Sequence, residues 1–139
     1  VVKIPNRDYR FTRMMNKAVI SCAPPNEYQN VGIVCLPSEK RTVYDKVIHY
    51  LETEPRPMSL SAPDYIGTQN GTFLIYRNTN SSISLLSEPE DFHMRTFESI
   101  CIVCNVHEMK EPVRRCLGSA VLSARVNVHL GNSETYNWK

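Results

Sequence analysis

Cys101, Cys104, His107 and Cys116 lie close together in the stretch "ESICIVCNVHEMKEPVRRC". A structural zinc site takes four ligands of these types in a tetrahedron. Cys101 and Cys104 also form a Cys-x-x-Cys pair, the spacing used in thiol redox chemistry. A cysteine nucleophile would further need a base, and His49, His93, His107 and His129 are the available imidazoles. Cys35 with His49 is one such combination.

The residues between the thiols weigh against ligation. Ile100, Ile102 and Val103 are strand formers, and a strand sends residues three apart to opposite faces. An extended segment from Ile100 to Val106 groups Cys104 with Ile100, Ile102 and Val106, and Cys101 with Val103, Asn105 and His107. The sulfurs then diverge and behave as small buried apolar groups. No metal and no cofactor is expected on this reading. Zinc held by Cys101, Cys104, His107 and Cys116 is the alternative that a break at Ile102-Val103 would create. Redox pairs place the attacking thiol at a helix start, which a mid-strand position does not supply. Cys22 and Cys35, on two neighbouring expected strands, are placed for a cross-link if the compartment is oxidising.

Other catalytic patterns are missing from the chain. Proline outnumbers glycine nine to five, and no Gly-rich phosphate loop occurs. Neither a two-histidine helix motif nor a nucleophile elbow is present. The acidic residues show no spacing that singles out a catalytic pair. Enzymatic chemistry is therefore not the leading expectation.

Charge points more towards binding. Sixteen Lys and Arg face fourteen Asp and Glu, a net charge of +2, too balanced to imply nucleic acid by itself. The N-terminal run nevertheless interleaves Arg7, Tyr9, Arg10, Phe11 and Arg13, pairing phosphate-seeking guanidiniums with stacking rings. Lys110, Arg114 and Arg115 form a second basic group, and Glu88 to Glu98 an acidic one. If the two basic groups converged, they would serve nucleic acid or an anionic membrane surface.

The elements that must position these residues read as a single α+β domain over 1–139. It has a basic N-terminal arm, a mixed or mostly antiparallel sheet of about six short strands, and a polar C-terminal tail carrying Trp138. The alternation of Tyr9, Phe11 and Met15 predicts a first strand, interrupted by Arg13, and "AVISCA" a second ended by Pro24-Pro25. "NVGIVCL" predicts another. Thr42 with Asp45 marks a helix start, and Val43, Val47 and Leu51 give the helix 42–52 its stripe. Pro55 and Pro57 end it in a proline-rich crossing suited to partner contact. "GTFLIYR" and "SISLLS" flank "NTNS" as a hairpin, and strand character returns from Thr96 to Val106. Pro112 opens a second short helix, 112–122, weakened at Gly118 by about 1 kcal/mol. "RVNVHL" closes the sheet.

Several strands look apolar on both sides, with only these two helices to cover them. A sheet so covered leaves an edge or face for a partner. The leading expectation is thus a protein–protein interaction or assembly domain, self-associating or bound to a partner, with nucleic-acid binding as the alternative. Arg7, Tyr9, Arg10, Arg13, Lys110, Arg114, Arg115 and Trp138 are the contact candidates. By elimination the pattern suits a viral structural or accessory domain. Five cysteines in a chain of this length fit a reducing, intracellular setting, the host cytoplasm if viral. The sequons at Asn70 and Asn80 would suit an extracellular one. No apolar run approaches the roughly 20 residues that span a bilayer. Val1 as first residue fits a processed or trimmed chain.

Overall fold

Phe11, Met14, Met15, Ala18, Val19 and Cys22 recur at steps of three and four and are all buried. Arg10, Arg13 and Lys17 fall on the opposite, exposed side. The segment Asn6–Cys22 is therefore one helix, α1, in the computed structural model. This overturns both strands expected before Pro24. Arg13 interrupted an alternating face, but at 3.6 residues per turn it belongs to the outer side and needs no exception.

The structure describes residues 6–23, 25–53, 66–67, 71–76 and 79–129. The proline-rich crossing, Asn70 and Trp138 lie outside the described residues. Within them, α1 is followed by β1 (Asn30–Val34), α2 (Lys40–Thr53), β2 (Ile66–Gly67), β3 (Thr72–Tyr76), β4 (Ser81–Leu86), β5 (Ser99–Ile102), α3 (Glu111–Ser123) and β6 (Val126–His129). The architecture is α+β around a six-stranded mixed sheet, in the order β2-β3-β4-β1-β5-β6.

The strands β3 and β4 form the expected antiparallel hairpin, with Phe73 opposite Ile83. Asn80 adopts a positive φ of 54° at the turn, a conformation asparagine tolerates. β2 also pairs antiparallel with β3, and the other pairs are parallel, β1 with β4 and with β5, and β5 with β6. Parallel neighbours need long crossovers. The route from β1 to β4 includes α2, and that from β5 to β6 includes α3.

Both predicted helices occur with slightly wider bounds. Thr42 is inside α2 rather than its cap, because a 3-10 turn at Pro37–Glu39 runs directly into the helix. Lys110 is the N-cap of α3, and Pro112 sits in the first turn, where its missing N–H costs nothing. The expected strand Thr96–Val106 is shorter, reduced to Ser99–Ile102. Val103 still donates its N–H to the Val34 carbonyl at 3.0 Å. The Asn105 side chain then accepts from the His107 N–H and turns the chain into a 3-10 segment, Val106–Glu108.

Two apolar clusters sandwich the sheet. On one side α1 and α2 bring Met15, Val19, Val47 and Leu51 onto Val31, Ile33, Phe73, Ile83 and Leu85. On the other, Val113, Leu117 and Val121 of α3 meet Val34, Leu86, Ile100 and Ile102. Each large side chain so buried contributes about 1.5–3 kcal/mol. Gly32 lies where a Cβ would come within 2.5 Å of Leu86 Cδ1 and 3.3 Å of Phe97. Close approach, not backbone conformation, selects glycine there. Among the described residues helices therefore lie on both faces of the sheet, α1 and α2 on one and α3 on the other.

Candidate functional site

The thiols separate as the strand parity requires. Cys101 packs in the α1–α2 cluster, and Cys104 packs with Ile100, Ile102 and Val106 in the α3 cluster. His107 is exposed, and Cys116 is half-buried on α3. Among the described residues no group of three or more His, Cys, Asp and Glu could hold a metal. Cys22 ends α1 instead of lying on a neighbouring strand, and all five cysteines are free thiols. Burial pushes the Cys22 thiol up to about 11, and those of Cys35, Cys101 and Cys104 up to about 12. At neutral pH such thiols hold little thiolate, the form that attacks and ligates. Cys35 is sealed, whereas His49 stands exposed on α2 beside a groove lined by Phe11, Lys46 and Tyr50.

Strand order reverses at β1, the place where open α/β sheets hold ligands beyond the carboxyl ends of their strands. Here the chain after β1 reads Cys35-Leu36-Pro37-Ser38-Glu39, with no glycine. The polar groups nearby serve their own turns. Asp91 accepts from the backbone N–H groups of Ser87 at 2.9 Å and Glu88 at 3.0 Å. Cys35 donates its N–H to the Leu86 carbonyl at 3.0 Å. These contacts close the carboxyl-end turns rather than face a ligand.

The two basic groups are not brought together. Arg10, Arg13 and Lys17 line the outer side of α1, on one face of the sheet. Arg7 and Tyr9 belong to the first turns of the same helix, with side chains outside the description. Lys110, Arg114 and Arg115 ride on or before α3, which covers the opposite face. Arg115 pairs with Glu111 at 3.0 Å and Arg114 with the same carboxylate at 3.9 Å. Arg95, unremarked in the sequence, lies over the Phe97 ring at 4.9 Å and donates to Ser84 Oγ at 2.6 Å. It thereby ties the segment before β5 to β4.

The surface with most to offer a partner lies between α1 and β6. An apolar groove of about 320 Å³ runs there, lined by Ala18, Ile20, Cys101, Val126 and Val128 among others. Ile20 is 50 % exposed and Val126 48 %, large for aliphatic side chains on covered elements. β6 ends the sheet order and pairs with β5 alone among the described residues. Sequence reasoning missed this site because it placed residues 18–23 in a strand. The available signal was Ile20, which falls off the helical stripe of Met15, Ala18, Val19 and Cys22.

The fold defines a three-layer α+β protein with helices on both faces of a mixed sheet. Its chain matches no protein-family model and no curated protein. Among the described residues, no helix is long and apolar enough to cross a membrane.

Proposed function

We propose that this chain is a non-enzymatic protein-association domain whose contact surface is the β6 edge with the adjoining side of α1. The observation that carries the reading is the groove between them, where Ile20 and Val126 are half exposed beside an edge strand. Edge strands offer unpaired main-chain groups to other chains. Apolar side chains next to them add the burial that makes association specific. A reading through Cys22, Cys35, Cys101 or Cys104 has little support, since these four sulfurs are buried and burial raises their pKa values.

Light scattering and sedimentation across concentration, alone and with candidate partner proteins, test this. Association should weaken about tenfold or more in Ile20→Lys and in Val126→Lys, with thermal unfolding little changed, because both side chains are already half in water. Association insensitive to both substitutions, or a monomer at every concentration that retains no partner, overturns the reading.

Nucleic-acid binding is the second reading, supported by the exposed row Arg10, Arg13 and Lys17. It predicts binding that falls steeply with salt. The α3 group would contribute little to it, being on the other face and paired with Glu111.

A further inference from the structure

The groove and the basic row of α1 are one surface. A second depression of about 170 Å³, lined by Arg10, Arg13, Met14, Lys17 and Val128, adjoins the apolar groove. Met14, Lys17 and Val128 line both. Side-chain direction along β6 is fixed by its neighbours. Val128 packs on the α1–α2 cluster, while the Asn127 amide donates to the Val121 carbonyl of α3 at 3.2 Å. Val126 and Val128 therefore face α1. A strand laid beside β6 would send every second side chain to that same side. There those side chains meet an apolar groove and, next to it, three exposed cations.

We propose that this surface takes an extended acidic segment of a partner protein, added beside β6 as a seventh strand. An aliphatic side chain fills the groove, and carboxylates two residues away meet Arg10, Arg13 and Lys17. The inference rests on the association reading and adds the partner's chemistry to it. Charge complementarity selects the occupant. A second copy pairing edge to edge about a two-fold axis would set both α1 helices on one face, with their like-charged rows adjacent, a costly arrangement. A nucleic-acid strand would satisfy the cations but supply neither a main-chain ladder for β6 nor an aliphatic group for the groove.

The test is fluorescence anisotropy of the whole chain with labelled peptides built from Thr-Val-Thr-Glu repeats. Three twins accompany the parent peptide, one with Lys for Glu, one with Ser for Val, and one with N-methylated backbone. The parent should bind, and each twin should bind about tenfold more weakly or worse. Reversing the row in Arg10→Glu, Arg13→Glu and Lys17→Glu together should weaken the parent by about tenfold and favour the Lys twin. Equal binding of Glu and Lys peptides overturns the proposal, as does an N-methylated twin that binds like the parent. If no peptide binds while Ile20→Lys still abolishes association, the acidic strand is wrong and the association reading stands. If neither peptide binding nor association occurs, both are wrong. Single-stranded DNA bound more tightly than the parent through the same three cations overturns the proposal in favour of nucleic acid.

Discussion

Helices α1 and α3 are built alike and used differently. Each buries an apolar stripe against one face of the sheet and carries basic residues on its outer side. On α3 the outer charges close on the helix itself, with Arg114 and Arg115 both reaching Glu111. On α1 the row Arg10, Arg13 and Lys17 opens onto a groove that ends at the sheet edge. The same composition gives charges paired along their own helix in one case and a row beside the end of the sheet in the other. What separates them is the neighbour. An acid one turn away satisfies α3, and an edge strand extends α1.

The largest effect that tests this comparison concerns the buried stripes. Met15→Ala and Leu117→Ala should each lower unfolding free energy by about 2–5 kcal/mol, read by urea denaturation. Arg13→Ala, two residues from Met15, should change it by no more than about 0.5 kcal/mol. If Arg13→Ala and Met15→Ala proved equally costly, residues 6–22 would share an alternating face and α1 would be wrong.

Next in size is alkaline titration. Cys22, Cys35, Cys101 and Cys104 have folded values of about 11 to 12, above the ordinary 9.0. Between those values the unfolded chain has lost protons that the folded chain keeps. Unfolding free energy should therefore be insensitive to these groups below about pH 9 and fall as pH rises beyond it, by up to about 1.4 kcal/mol per pH unit for each thiol. Cys101→Ala should have a shallower alkaline slope than the parent chain. In native alkylation with iodoacetamide Cys116 should react first, as the one cysteine that is not buried. Early labelling of Cys101 or Cys104 would show that the sheet opens at β5.

A smaller effect separates the outer faces directly. Ile20→Lys should weaken association about tenfold, some 1.4 kcal/mol, while Leu122→Lys on α3 should leave it unchanged although Leu122 is 77 % exposed. Equal losses would mean that exposure alone, without an edge strand, governs contact. Smallest of all, Glu111→Gln should cost at most about 0.5 kcal/mol, because both of its ion pairs are exposed. It should leave every interaction of the α1 surface untouched.

The sequence made some parts of this fold easy to see. Val43, Val47 and Leu51 marked α2, Val113, Leu117 and Val121 marked α3, and the turn residues before Ser81 marked the β3–β4 hairpin. Each signal is local, with a period or a turn former inside one element. The divergence of Cys101 and Cys104 was also legible, since it needs only the parity of a short strand. Helix α1 was misread because Tyr9, Phe11 and Met15 satisfy an alternating pattern over a short window. The helical stripe becomes decisive only when Met14, Val19 and Cys22 are counted with them. The groove between α1 and β6 was out of reach for the same reason. Arg10 and Arg13 stood among the contact candidates, but Lys17, Ile20, Val126 and Val128 did not, because nothing near them in the chain shows that they meet.

By itself the sequence determined which residues are apolar and at what spacing, and therefore which local elements can form and which side of each is buried. Strand order, and with it the site, was decided only in three dimensions. β6 ends the described sheet beside α1 because α3 returns the chain over one face to the position next to β5, where parallel pairing sets Val126 against Ser99. The free energy of that arrangement comes from contacts between segments far apart in the chain, and no local pattern records them.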